Sequence, residues 1–316
     1  MPRSPTTKYN KRGLRRASLQ NERVRFEVRI EELFQQFTRE RQFLTNVTAK
    51  TLDWYKTSWR KFGPFIGEAL NEAELRMKVK EAQMSIASQG NLTPVSVNTY
   101  SRPIQTFCNW LLENGQINRA IKLSRLKAPI KLLRTLADDE MKRLIGFVPR
   151  TRNQRRMHAA VVLMLDSGLR ASEWIGLRRE DLDLQNLTVR VFGKGRKERA
   201  IPISTECRKV LMRWIIRDVP EDAKVIFCTK KGERIGHRNA LRDVKRLGGR
   251  CGIWTIGLHY CRHSFASAFM RNGGSVTDLQ KILGHSDLRV TVRYVHALIG
   301  DLKVATQKFS PVAKLG

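Results

Sequence analysis

The sequence is poor in acid. It has 29 Asp and Glu against 60 Lys and Arg, a formal net charge of +31 over 316 residues. An excess of that size, spread along the chain, makes an acidic partner the natural one, most simply nucleic acid. Cysteine is sparse and irregular. Cys108, Cys207, Cys228, Cys251 and Cys261 are odd in number and form no CxxC pair. They argue against a disulfide framework or a zinc site and for reduced thiols in a cytosol. Long apolar runs are lacking too, and the N-terminus has no apolar core. No signal peptide and no membrane partner are therefore expected, and the expected location is the cytoplasm, in association with the nucleoid. There is no internal repeat, no low-complexity tract and no GxxxxGK[ST] loop, so no ATP requirement is implied. Carboxylates do not cluster: Asp166, Glu173 and Asp287 are separated and sit among cations. That argues against two-metal phosphoryl chemistry, and neither a metal nor another cofactor is expected.

What the chain does hold is enough hydrophobic residue, 41%, for folded domains rather than a disordered basic tail. Residues 1–22 are polar and basic, with Arg3, Lys8, Lys11, Arg12, Arg15 and Arg16, and read as a flexible arm. Residues 23–122 read as helices. Val24, Phe26, Val28 and Ile30 alternate, but Ile30, Leu33, Phe34 and Phe37 recur at helical spacing. Thr48 is placed to cap a second helix, a third covers about 71–88, and Thr93 precedes a fourth that ends before Gly115. Its expected apolar side is Val95, Val97, Tyr100, Ile104, Phe107, Trp110 and Leu111. The aromatics are read as core, and Lys50, Lys56, Arg60, Asn98 and Arg102 between them as candidate DNA contacts. Residues 123–134 form a basic linker. A second domain, 135–297, starts a helix at Asp138 and Asp139, runs another over about 153–167, and then shows strand signals at Leu187–Phe192 and Ala200–Ile203 around GKGRKER. Val225–Cys228 is expected as a third short strand. A tail of 298–316 carries a further helix at about 298–308.

The densest chemistry lies between Leu258 and His296. His259, Arg262, His285 and Tyr294 fall there, and upstream segments add Arg170 and Lys194. Breaking a phosphodiester without a metal needs cations on the non-bridging oxygens, and arginine's planar, permanently charged fork suits that task. It needs a nucleophile: a tyrosine phenol, with a pKa of about 10, requires neighbouring cations to favour its phenolate. It also needs a proton donor for the departing sugar oxygen, which lysine or histidine supplies. Attack by a side chain leaves a covalent intermediate that a DNA hydroxyl can later resolve.

Four segments, DSGLRASEW, VFGKGRKERAIPI, LHYCRHSF and LGHSDLRVTVRYVH, together resemble the tyrosine recombinase (phage integrase) family, across about 135–300 and more loosely across 25–122. The resemblance implies a mainly α fold with a small antiparallel β-sheet in the catalytic domain, the whole forming a two-domain DNA clamp with a helical core-binding domain. It implies that Tyr294 attacks DNA to form a 3′-phosphotyrosine and that Arg170 and Arg262 clamp the scissile phosphate. Lys194 protonates the 5′-oxygen, with Arg196, Lys197 and Arg199 sharing its turn as rivals. His259 and His285 assist, Glu173 supports Arg170, and His263 serves the fold rather than the chemistry. Ser167, Trp174 and Cys261 depart from residues common in the family, and Cys261, between His259 and Arg262, is a site where oxidation would disturb activity. The expected partners are double-stranded DNA and three further copies, a homo-tetramer on two DNA sites passing through a Holliday junction. The apolar tail would dock into a neighbouring protomer, and an accessory recombinase or DNA-bending protein has room to act. The expected function is site-specific recombination for integration, excision or resolution of a mobile element or replicon, with EDTA-insensitive cleavage. A type IB topoisomerase and a regulator that has lost catalysis are the competing readings.

Overall fold

The structure is a computed structural model. It describes residues 30–67, 69, 71–129, 134–193, 198–295, 310 and 312. The arm at 1–22, Lys194 with the rest of its turn, and the expected helix at 298–308 with its docking lie outside the described residues. The chain divides into two compact units, Met1–Lys131 and Leu132–Gly316.

The first unit packs four helices: α1 (30–43), α2 (Ala49–Ile66), α3 (Glu72–Ser88) and α4 (Pro94–Glu113). The starts of α2, α3 and α4 are set by side chains that accept otherwise orphaned N–H groups. Thr48 accepts from the Thr51 N–H, Asn71 from Glu74, and Thr93 from Ser96 just ahead of a helix that opens on proline. The core is aromatic. Phe34 stacks on Trp59 at 4.1 Å and meets Phe107 edge-on at 5.3 Å. Two acids of α1 satisfy the indole N–H groups that this packing draws inward: Trp59 donates to Glu31 at 2.8 Å and Trp110 to Glu40 at 2.7 Å. Val95, expected on the apolar side of α4, is instead exposed, because it lies in the first turn beyond the packed stripe.

The basic segment after α4 is not a free linker at its start. Ile121 is buried and Leu123 and Leu126 pack on the helical core. Three side-chain amides hold its backbone. Gln105 accepts from Leu123 N–H and donates to Ile121 C=O, both at 2.8 Å. Gln83 brackets Ser124 in the same way. Asn98 brackets Leu126, accepting and donating at 2.9 Å. Extended backbone with no strand partner is thus satisfied by side chains, as burial demands.

The second unit is built on α6 (Arg152–Ser167), which is buried from Met157 through Met164. Around it lie α5 (Asp138–Ile145), α7 (Ala171–Ile175), α8 (Thr205–Asp218), α9 (His237–Arg250), α10 (Leu258–Arg271), α11 (Val276–Leu283) and α12 (Leu288–Val295). The sheet is small and antiparallel, in the order β1 (Leu182–Asp183), β2 (Thr188–Phe192), β3 (Glu198–Pro202). Val189 faces Ile201 and Val191 faces Arg199 in register. Val189, Val191 and Ile201 point into the core, while Phe192 alternates outward. The expectation of a mainly α fold with a small antiparallel sheet is met. The third strand is a correction: it is β1, and Val225–Cys228 is no strand. That run is apolar because it is buried, and its polar groups go elsewhere. Ile226 N–H bonds to Leu177 C=O, Trp214 donates to Ile226 C=O, and Arg152 and Arg156 both donate to Cys228 C=O.

Candidate active site

Arg262 is the hub. It projects from α10, and only 5% of its surface is exposed. An ionised group so buried is costly unless fully bonded. Its guanidinium donates to Gly168 C=O at 2.7 Å, to Leu283 C=O at 2.8 Å and to His285 Nε2 at 2.9 Å. The two carbonyls are at the C-terminal ends of α6 and α11, where orphaned acceptors and the negative dipole end favour a cation. Gly168 makes this fit possible. It ends α6 at φ +65°, and a Cβ there would lie 2.4 Å from Phe265 and 2.8 Å from Leu283. Burial, and then repulsion from Arg170, brings the Arg262 guanidinium down to about 10, so it stays charged at neutral pH.

Arg170 stands at the N-cap of α7. It donates from Nη1 to Glu173 at 2.9 Å and from Nη2 to Gly284 C=O at 3.0 Å, and its backbone N–H donates to Glu173 at 2.7 Å. Both arginines therefore hang on the same turn after α11. Glu173 is almost wholly enclosed. Burial pushes its carboxyl up, but the hydrogen bonds from Arg199 and then from Arg170 outweigh this and hold it below the ordinary carboxylate value. Three guanidiniums, of Arg170, Arg199 and Arg262, against the one carboxylate of Glu173 leave two positive charges in excess. That is the electrostatic requirement for clamping a phosphate.

His285 follows the αL residue Gly284, so the turn aims it back at Arg262. A guanidinium only donates, so Nε2 accepts and Nδ1 carries the proton toward Thr291 Oγ1 at 2.9 Å. Burial, then Arg262, Arg170 and Arg199, bring the His285 imidazole down to about 4. It is neutral at physiological pH. His259 sits exposed in the first turn of α10. Desolvation, then His237 and Arg262, lower its imidazole below the ordinary value.

Tyr294 lies in α12, 3% exposed, among Ala266, Leu279 and Leu283. Its hydroxyl is 2.8 Å from His263 Nδ1. The expectation that cations favour its phenolate fails in this arrangement: burial raises the phenol, and Arg262, Arg293 and Arg170 pull it down by less. Sequence reasoning gave His263 to the fold. The structure puts it against the candidate nucleophile, with burial, then His259, Arg262 and Arg293, bringing it down to about 4. The available signal was its spacing, four residues after His259 on one helix face. Arg199, from the same hairpin as Lys194, lies against Glu173. Cys261 is completely buried, and burial pushes its thiol up to about 12. The thiolate that an oxidant attacks is suppressed, which argues against the expected oxidation sensitivity.

In the first unit Lys50, Lys56 and Arg60 are exposed on α2, and Arg102 is exposed with its guanidinium 5.7 Å from the centre of the Trp54 ring. Asn98 is different: both ends of its side-chain amide are engaged by the Leu126 backbone, so it braces the fold. A groove of about 750 Å³ between the start of α6 and α9 includes none of the candidate residues. Among the described residues no group of three or more His, Cys, Asp or Glu is placed to hold a metal ion.

Fold and site together define a helical, strongly basic protein with an arginine clamp and a tyrosine beside it. Residues 134–299 match the model of the phage integrase family. The chain is 33% identical over 287 residues to the tyrosine recombinase XerC of Xanthomonas campestris pv. campestris, covering 86% of each chain. It is 33% identical over 281 residues to the XerC of Pseudomonas aeruginosa, covering 85% of this chain and 91% of that one. The fold is similar to XerH site-specific recombinase bound to a palindromic difH substrate (TM-score 0.69, 19% identity, 87% of this chain and 83% of that one). It is also similar to the Tn1549 transposon integrase in complex with transposon right end DNA (TM-score 0.70, 18% identity, 88% and 98%). The chain belongs to the phage integrase family of tyrosine recombinases.

Proposed function

We propose that this protein is a site-specific DNA recombinase that cuts and rejoins strands through Tyr294. The observation that carries the reading is the convergence of Arg170, Arg262 and His285, from three separated segments, on the turn at Gly284 next to Tyr294. The phenol passes its proton to His263 Nδ1, 2.8 Å from its oxygen, that oxygen attacks the scissile phosphorus, and the bond to the 5′-oxygen breaks. The 3′-phosphate stays on the tyrosine, and the 5′-oxygen leaves as a hydroxyl after taking up a proton. Arg170 and Arg262 offset the charge that builds on the non-bridging oxygens. Neutral His285 holds Arg262 through its lone pair and can exchange a proton through Thr291. Lys194 is assigned as the donor to the leaving oxygen, and His259 assists at the phosphate. In the structure the phenol is buried and paired with His263, so attack requires α12 to move it to the phosphate.

The partner is duplex DNA, with Lys50, Lys56, Arg60 and Arg102 of the first unit contacting its backbone. Four protomers on two sites exchange strands in pairs through a Holliday junction, with the tail after Tyr294 docking into a neighbour. The biological task is integration, excision or resolution of a mobile element or replicon. The XerC relatives and the integrase-like fold support that range. A recombination assay tests it: plasmids carrying the DNA that flanks this gene should yield joined products with one defined crossover point. Relaxation of a supercoiled plasmid lacking any such site, with no recombinant product, would instead make the protein a topoisomerase.

A further inference from the structure

The hairpin residue Arg199 is turned toward Glu173 and Ile282. It runs inward from β3, and only 13% of its side chain is exposed. Its two terminal nitrogens bind the two oxygens of Glu173 at 3.0 Å each, a fork-to-fork pair, and its Nε donates to Ile282 C=O at 2.9 Å. The guanidinium lies flat beneath the turn that carries His285. A Cβ on Gly284 would sit 3.0 Å from Arg199 Cζ, Nε and Nη1, and Gly284 itself is at φ +62°. One side chain thus ties the hairpin strand to α7 through Glu173 and to α11 through Ile282.

We propose that Arg199 is a positioning residue for phosphate clamping: by holding Glu173 in a bidentate pair and bracing the Gly284 turn, it fixes Arg170 so that its unused N–H groups face the scissile phosphate. This rests on the function proposed above. The logic is one of competition for a buried carboxylate. Arg170 spends two of its five N–H groups on Glu173 and Gly284 and keeps the others. Without Arg199, Glu173 is an enclosed carboxylate with only Arg170 to neutralise it. It then either draws Arg170 further in or takes up a proton, and each outcome changes the clamp. Lysine cannot replace the fork, because a single ammonium cannot meet both carboxylate oxygens and the Ile282 carbonyl together.

The test uses the full chain with Arg199→Lys and Arg199→Ala, alone and combined with Glu173→Gln. Two readouts are taken. The first is a carbon-13 titration of the Glu173 carboxyl, assigned by its loss in Glu173→Gln. It should titrate below an ordinary glutamate in the wild type and move up in both Arg199 variants. The second is single-turnover cleavage of a nicked DNA substrate. Arg199→Ala should lower the rate by roughly 100-fold, the scale of a misplaced reacting group, with DNA affinity unchanged. In the Glu173→Gln background the same change should cost far less, because no buried charge remains to compete for Arg170. A Glu173 titration that ignores Arg199, or an equal loss of rate in both backgrounds, overturns the proposal; equal losses would mean that Arg199 only stabilises the fold. The titration needs no DNA. If the wild type cleaves nothing, the recombinase reading falls while the hold on Glu173 is still decided.

Discussion

Gly168→Ala should damage the site from a distance of one peptide. Two effects add. The backbone at φ +65° costs an L-residue about 1–2 kcal/mol. The new methyl would meet Phe265 at 2.4 Å and 2.9 Å and Leu283 at 2.8 Å, and overpacking of that kind costs about 1–3 kcal/mol. Together they amount to about 2–5 kcal/mol, which for a unit of this size lowers its melting temperature by roughly 10 °C. The control is Gly252→Ala in the same unit. Gly252 has φ +72°, but its new Cβ would meet only the end of the Arg143 side chain, at 3.1 Å. It should cost about 1–2 kcal/mol, the backbone part alone. Calorimetric melting of both variants measures the difference, and cleavage of nicked DNA measures its consequence, because Gly168 C=O orients Arg262. Equal melting temperatures for the two variants would refute the packing argument. A destabilised Gly168→Ala that cleaves at the wild-type rate would refute the link to Arg262.

Other outcomes follow from the same geometry. His263 and His285 are both brought down to about 4, from an ordinary value of about 6.5. An unfolded chain therefore binds protons that the folded site refuses, so stability is full above about pH 6.5 and falls as pH drops toward 4. Melting temperature against pH should show that slope, and His285→Asn should flatten it. Asn98→Ala removes both bonds to Leu126, a loss of about 1–3 kcal/mol. Limited proteolysis should then cut the 121–126 segment sooner, with wild-type susceptibility contradicting its bracing role. Cys261, buried and with its thiol at about 12, should resist alkylation by iodoacetamide in the folded protein and react only after denaturation.

Much of the fold was legible because local rules and tertiary packing agreed. Thr48 and Thr93 cap the helices they precede, Ser167-Gly168 ends α6, and Phe34, Phe37, Tyr55, Phe62, Phe107 and Trp110 form a core. Where packing overrode local pattern, the reading missed. Val225–Cys228 has strand composition, but its apolar character reflects burial, and its backbone is bonded by Leu177, Trp214 and two arginines. The linker looked patternless because its order comes from Gln83, Asn98 and Gln105 on distant helices, and no local period can show that. In the site, motif spacing pointed to Arg170, Arg262, His285 and Tyr294, and the structure brings their segments together. The turn at Gly284 that joins both arginines, the contact of His263 with Tyr294, and the inward course of Arg199 are all relations between segments far apart in sequence.

The most direct test of the account is whether DNA becomes covalently attached at Tyr294. Protein incubated in EDTA with nicked duplex from its own flanking sequence should give a slower band on a denaturing gel, and Tyr294→Phe should abolish it. A band that survives Tyr294→Phe, or one that appears only with added metal ion, would contradict the mechanism.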